Sequence, residues 1–275
     1  MELKRLSVPI QAGIRRSSTP IDVVIPAIEK DLVTLPHVID AVRSQVKHPI
    51  GSFMIVAPNR PRMRNLCARK RCRFVDENTV LPITKRNIRY GSKKWERSGW
   101  LFQQLLKMGG DKLGRSGYFL AIDADTVLVR PHVFRSGGKT LFYCRHWSQP
   151  EYFRTYRKLM GRKASAPVSF VTHYMLFDKA KLRRMKQVIA AKHGMSWYGA
   201  ILKKMDRTKP FAFSEFETYG NFLYSRNPGG VALRKALNKS LSTSISRLTP
   251  QRRKALARKY RSVSFHKRKG YSKKN

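Results

Sequence analysis

Asp22-Val23-Val24-Ile25-Pro26 is a short β-branched run closed by a proline, the pattern of a buried strand. Apolar positions then recur at helical spacing through Leu32, Leu35, Ile39, Val42 and Val46. Pro36 falls near the first turn of that helix, where a missing N–H costs little. Residues 52–57 read as a second strand ended by Pro58-Asn59, so the chain opens as a βαβ unit. A third short strand is predicted at Arg73-Phe74-Val75, running into Asp76-Glu77-Asn78, and a helix over 98–108 stopped by Gly109-Gly110. The clearest strand is Tyr118-Phe119-Leu120-Ala121-Ile122. Its continuous apolar run implies cover on both faces, and it delivers Asp123 and Asp125 to its C-terminal end, where open α/β sheets bind ligands.

Beyond this point the pattern loosens into shorter elements. Strands are predicted over 141–144 and 168–177, and a helix over 179–192 with Asp178 as N-cap and Gly194 as stop. A further helix is predicted over 250–260 after Thr249, then a strand over 262–265 and a basic tail. The expected class is α/β: a Rossmann-like mixed sheet flanked by helices, with α+β decoration in the C-terminal half.

Composition adds a body and a charge to this frame. Hydrophobic residues make up 41% of 275, enough for a real core, so the basic residues sit on a folded chain. Lys and Arg total 58 against 16 acidic residues, a formal net charge of +42, which would attract polyanions or anionic membrane surfaces. No Asp or Glu follows Glu217. The bland alternative is a general basic bias on solvated faces.

Cys67, Cys72 and Cys144 are an odd number without C-x-x-C spacing, which argues against a disulfide framework or a zinc site and for a reducing, cytoplasmic setting. The N-terminal residues show no signal-like apolar stretch, and no apolar run approaches the ~18 residues needed to span a bilayer. Any membrane contact is expected to be peripheral.

Two constellations carry candidate chemistry. Asp123 and Asp125, at i and i+2 on an extended segment, point to the same side and can share a hard cation, with small Ala124 leaving the approach open. A Mg²⁺ or Mn²⁺ ion between carboxylate and phosphate oxygens would offset the charge of a sugar nucleotide. Asp125 would then bind metal directly, and Asp123 the ribose hydroxyls, the metal or both. The plain alternative is a turn in which both side chains cap local N–H groups.

The second constellation is Ser214-Glu215-Phe216-Glu217-Thr218-Tyr219-Gly220. Here Glu215 or Glu217 is a candidate general base toward an acceptor hydroxyl, and the sequence does not choose between them. The bland reading is a helix start, with Ser214 as N-cap and Glu217 in the N3 capping-box position.

Together with Arg97-Ser98-Gly99-Trp100 and Gln103-Gln104, these segments resemble the uncharacterised glycosyltransferase-like proteins of GT-A fold, over roughly residues 20 to 240. The resemblance implies a metal-dependent transfer from a nucleoside-diphosphate sugar to a hydroxyl acceptor, whether glycan, lipid or protein. It implies a donor site from Pro26, Ala27, Asp76, Asp123 and Asp125, with acceptor groups and the base in the second half.

Arg97, Gln103 and Lys107 are candidates for nucleotide or phosphate contacts, and each is equally readable as a solvated helix residue. Trp100 reads as structural. His266 resembles the late histidine with which many GT-A enzymes complete the metal shell; its alternative is an ordinary tail residue. His173 reads as a strand residue or acceptor-site wall. The implied organisation is a basic leader (1–19), a nucleotide-sugar-binding half (20–135), an acceptor and catalytic half (136–248), and a basic helix and tail (249–275).

Two other functions share these features. A nucleic-acid- or polyanion-binding protein would use the charge, through the basic tail above all, and a metal-dependent nucleotidyltransferase would use the same carboxylates while releasing pyrophosphate.

Overall fold

In the computed structural model, which describes residues 16–146 and 148–265, the first strand is Ile21–Pro26 (β1) and all six of its residues are buried. Helix α1 (Leu35–Gln45), strand β2 (Ile50–Ala57), helix α2 (Pro61–Arg69) and strand β3 (Arg73–Asp76) follow, then helix α3 (Ser98–Gly109) and strand β4 (Tyr118–Ile122). The next elements are β5 (Thr126–Leu128), β6 (Arg135–Ser136), β7 (Lys139–Cys144), α4 (Pro150–Met160), β8 (Tyr174–Asp178), α5 (Lys179–His193) and α6 (Trp197–Lys204). The described chain ends with α7 (Glu215–Tyr224), β9 (Val231–Lys235), β10 (Asn238–Ser240), α8 (Pro250–Ala257) and β11 (Ser262–Ser264).

Five strands form the central sheet in the order β3-β2-β1-β4-β8. The first four are mutually parallel, with Val24 of β1 opposite both Met54 and Ala121, and β8 runs antiparallel to β4. The fold is therefore a mixed α/β sheet flanked by helices.

Alternation along the strands divides the core in two. Val24, Met54, Val56, Phe119, Ala121 and Phe177 enter one hydrophobic layer with residues of α3 to α7. Ile25, Ile55, Leu120, Ile122 and Leu176 enter the other with α1, α2, β5 and β11. Cover on both faces is why β4, and β1 from Val23 onward, read as unbroken apolar runs.

Two smaller sheets, β10-β11-β5 and β6-β7-β9, flank the main one. Each joins a segment just after β4 to one near the C-terminus, through β5 with β11 and β7 with β9. At the end of the central sheet away from Asp123, Asp22 is 1% exposed and pairs with Lys179 Nζ at 3.0 Å. Its oxygens also accept from the Ser52 and Ser116 amides, so the buried charge is paired and solvated by protein.

Several boundaries differ from the sequence pattern for local reasons. The first helix divides into a 3₁₀ turn, Glu29–Val33, and α1, with Pro36 inside its first turn. The predicted strand over 168–177 is extended as β8 only from Tyr174. Ser169 instead bridges Arg145, and its hydroxyl turns to Glu217. Helix α8 stops at Ala257 because the Arg258 and Lys259 amides bond back three residues, tightening the last turn. By contrast α5 begins and ends as expected: Asp178 accepts from the Ala180 and Lys181 amides, and Gly194 closes the helix at φ +61°.

Candidate active site

Beyond Ile122 the chain leaves the sheet at the C-terminal edge, in the crevice where strand order reverses between β1 and β4. The loop Asp123-Ala124-Asp125 is pinned from three sides. The Asp123 amide donates to His173 O at 2.9 Å, Thr34 Oγ1 to Ala124 O at 2.9 Å, and the Phe265 amide to Asp125 O at 3.0 Å. The βα loop after β1, the approach to β8 and the segment after β11 thus meet at these three residues.

Helix α3 supplies the cation. Lys107 Nζ lies 2.5 Å from Asp123 Oδ1 and 2.8 Å from Glu215 Oε1, bridging two carboxylates from distant segments. Lys107 is 4% exposed and its ammonium also sits over the Phe216 ring. Just over one turn of α3 presents three polar groups together: Gln103 donates to Pro26 O at 3.3 Å, Gln104 accepts from the Glu215 amide at 3.1 Å, and Lys107 reaches both acids. His173 Nδ1 lies 3.1 Å from the second oxygen of Asp123.

Glu215 opens α7, and Ser214 caps that helix by accepting from the Glu217 amide. The reciprocal half of a capping box is not made, because the Glu217 side chain is engaged elsewhere. It accepts from Ser148 and Ser169 hydroxyls at 3.0 and 2.6 Å and from Asn221 Nδ2 at 2.7 Å. Two residues on a helix lie about 200° apart around its axis, so the two glutamates face different surroundings.

These charges shape one another. Burial alone would raise the Asp123 carboxyl, but Lys107 and then His173 more than offset it and hold it well below the usual carboxylate range. Burial works against the charge of Lys107, yet Asp123 and Glu215 keep its pKa above the ordinary lysine value. At Glu215 burial wins over Lys107 and its pKa is raised; Glu217 is likewise raised, by burial. Asp31, in the loop after β1, is pushed up to about 6 by burial, against the Ile28 N–H and Lys30, with Asp125 and Asp123 adding to the rise.

Of the residues singled out in the sequence, Lys107, Asp123, Glu215 and His173 thus form one contacting set, and Gln103 with Pro26 a second, one helical turn back along α3. Ala27, 3% exposed, is joined to β2 by its amide. Asp76 ends β3, two strands from the crevice, where it accepts from the Asn78 amide. Arg97 is 5% exposed with its guanidinium 4.0 Å from the Phe211 ring centroid and 5.1 Å from that of Trp100. His266 lies outside the described residues. Gln104, Asp31 and Thr34 were not marked by sequence as site groups. The one legible signal is the position of Gln104 three residues before Lys107, which places both on one helix face.

Among the described residues no group of three or more His, Cys, Asp or Glu side chains is arranged to hold a metal ion, and no helix is long and apolar enough to cross a membrane. Asp123 and Asp125 provide two carboxylates on one loop. They stand on a turn and not on the extended segment expected from the sequence, because the Thr126 amide donates back to Asp123 O at 3.2 Å, and both Asp123 oxygens are engaged, Oδ1 by Lys107 and Oδ2 by His173. Oxygen donors of this type are those Mg²⁺ takes alongside substrate phosphates and water.

The protein is thus a mixed α/β protein with a charged cluster at the switch point of its sheet. Residues 38–239 match DUF6492, a family of unknown function, and the chain belongs to that family. No curated protein matches the sequence. Among solved structures, the chain is similar to the galactosyltransferase LgtC in complex with donor and acceptor sugar analogues, at 14% identity and a TM-score of 0.47, covering 89% of this chain and 87% of that one. It is also similar to glucosyl-3-phosphoglycerate synthase from Mycobacterium tuberculosis in complex with Mn²⁺, UDP and glucosyl-3-phosphoglycerate, at 13% identity and a TM-score of 0.39, covering 79% and 70%.

Proposed function

We propose that this protein is a glycosyltransferase of GT-A type that moves a sugar from a nucleoside-diphosphate sugar to a hydroxyl acceptor. The observation that carries the reading is Lys107, held between Asp123 and Glu215 at the switch point of the sheet. Such a buried pair of hydrogen-bonding acids around one ammonium suits a polyhydroxylated ligand. Sugar hydroxyls can donate to either carboxylate and accept from the lysine.

In this reading the donor lies along the C-terminal ends of β1 and β4. Pro26, Ala27 and Gln103 border the nucleotide, Asp123 meets the ribose or metal, and Asp125 with Asp123 holds Mg²⁺ or Mn²⁺. When bound, that ion offsets the negative charge of the departing diphosphate. Glu215 and Lys107 face the transferred sugar. Glu215 is the better of the two glutamates for contact with reacting groups, because it shares Lys107 with Asp123. Glu217 is a positioning residue that ties Ser148 and Ser169 to α7. Asp76 and Arg97 are assigned to the edges of the site, and His266 to its metal shell. The acceptor is left as a glycan, lipid or protein hydroxyl.

The test is a thermal-shift screen of UDP-, GDP-, CMP- and dTDP-sugars with Mn²⁺ or Mg²⁺, since a ligand that binds only the native state raises its stability. One donor class should raise Tm in a metal-dependent way, and Asp125→Asn should abolish the metal dependence. If no nucleotide sugar shifts Tm while nucleic acid binds with a steep salt dependence, the enzyme reading fails in favour of a polyanion-binding one.

A further inference from the structure

The far end of α7 borders a cavity. It has a volume of about 160 Å³ and is bounded by Lys181 and Arg184 of α5, Phe222, Leu223 and Arg226 at the end of α7, and Val231 at the start of β9. Eleven residues of chain separate Glu215 from Arg226, on the order of 15 Å of helical rise, so this cavity is separate from the proposed donor site.

Its floor is apolar and its rim is cationic. Phe222 and Leu223 are 1% and 6% exposed, and the Arg226 guanidinium lies over Phe222, 4.0 Å from its centroid. Arg162 approaches from the loop after α4 and donates to Ser225 Oγ at 2.9 Å, beside Arg226. Among the described residues neither Arg162, Arg184 nor Arg226 has a carboxylate partner, and no acid lines the cavity. Lys181 has Asp178 only at 3.9 Å. Burial, and then Arg162, make the charge of Arg226 harder to hold. Three guanidinium groups gathered without an acid repel one another, and an anion between them relieves that repulsion.

We infer that this cavity is a binding site for a phospholipid, with the phosphate held by Arg184 and Arg226 and the adjoining carbons laid on Leu223 and Val231. Phosphate suits the planar forks of arginine, which bond it through two parallel N–H groups. An apolar floor beneath the anion site selects against a sugar phosphate, whose hydroxyls would lose water there without finding partners. The volume falls below the roughly 300–1,000 Å³ of pockets that enclose a whole drug-sized ligand, so it takes the headgroup and first carbons while the chains continue outside.

The test is calorimetric titration of the full chain with monomeric dihexanoyl phosphatidate and, separately, with inorganic phosphate. Phosphatidate should bind saturably with one site and at least about tenfold more tightly than phosphate, since each buried methylene adds about fourfold. Arg226→Gln should weaken it by about tenfold or more. So should Arg184→Gln, whose side chain is exposed, so that its replacement is expected to change stability little. Lys254→Gln, an equal change of charge on exposed α8, should leave it unchanged. Equal affinity for phosphate and phosphatidate would remove the lipid. No saturable binding, or equal weakening by all three substitutions, would overturn the site and leave only general attraction to a cationic protein.

Discussion

Lys107 Nζ lies 2.8 Å from Glu215 Oε1 although 108 positions separate them, and the same ammonium holds Asp123 on its other side. One lysine thus joins the helix before β4, the loop after β4 and the first turn of α7. Removing it leaves Glu215 buried beside Asp123 with no cation between them.

Lys107→Met keeps much of the side-chain volume and deletes the charge. Breaking a buried pair by removing one partner costs about 3–5 kcal/mol, because the remaining charge is left uncompensated. Urea denaturation should show a loss of that order, and nucleotide-sugar turnover should fall below detection. The double variant Lys107→Met/Glu215→Gln should be more stable than the single one, since it no longer buries an unpaired carboxylate. If the double variant is no more stable, the bridge is not what holds these segments.

Glu215→Gln and Glu217→Gln separate the two glutamates. Glu217 accepts from two hydroxyls and an amide nitrogen, so glutamine there turns one donor against others in a network whose members Glu217, Ser169 and Asn221 are buried. Its expected signature is a stability loss of about 1–3 kcal/mol with the KM for donor little changed. Glu215→Gln should instead lower kcat by about a hundredfold or more while the urea midpoint moves less, as for a group acting on the transition state. Opposite signatures would exchange the two roles.

The sheet is legible in the sequence because β1 and β4 are buried on both faces, so Val23-Val24-Ile25 and the whole of β4 are apolar without interruption. Helix α2 is not, since Pro61–Arg69 presents only Met63, Leu66 and Cys67 to the core among three arginines. The short strand β5 has no periodicity of its own and exists by pairing with β11, which lies more than a hundred residues onward. The site divides in the same way. Asp123 and Asp125 announce themselves by following a buried strand, whereas the choice between Glu215 and Glu217 depends on which side of α7 faces Lys107, a tertiary fact.

Asp31 sets a pH dependence whose sign follows from its burial. Its carboxyl is pushed up to about 6, whereas in the unfolded chain it titrates near the ordinary carboxylate value. Between those two values the folded state binds more protons, so this group's contribution to stability falls as pH rises through the window and is unfavourable above it. Asp31→Asn removes the ionisation and keeps an oxygen to accept from the Ile28 amide, which Asp31 Oδ2 does at 2.9 Å. It should raise stability by about 1–2 kcal/mol near pH 7 and by little near pH 4. Equal effects at both would show that the carboxyl titrates normally.

Gly220 tests the packing that fixes Glu217. A Cβ built there would stand 2.3 Å from Phe170 Cγ, with two further ring atoms at 2.5 and 2.7 Å. Phe170 is fully buried and packs edge-on against Phe142, so the ring cannot swing clear, and its own amide points toward Glu217 Oε1. Overpacking of this kind costs about 1–3 kcal/mol, so Gly220→Ala should lower Tm despite replacing glycine by a better helix former. Gly117→Ala is the matched control: nothing lies within 4 Å of its Cβ position, and the change should be within about 0.5 kcal/mol of neutral. Shrinking the ring with Phe170→Leu should recover part of the loss in the Gly220→Ala background and be destabilising alone. That reversal of sign distinguishes a steric clash from a general weakening of α7, and a loss that Phe170→Leu only deepens would place the strain elsewhere.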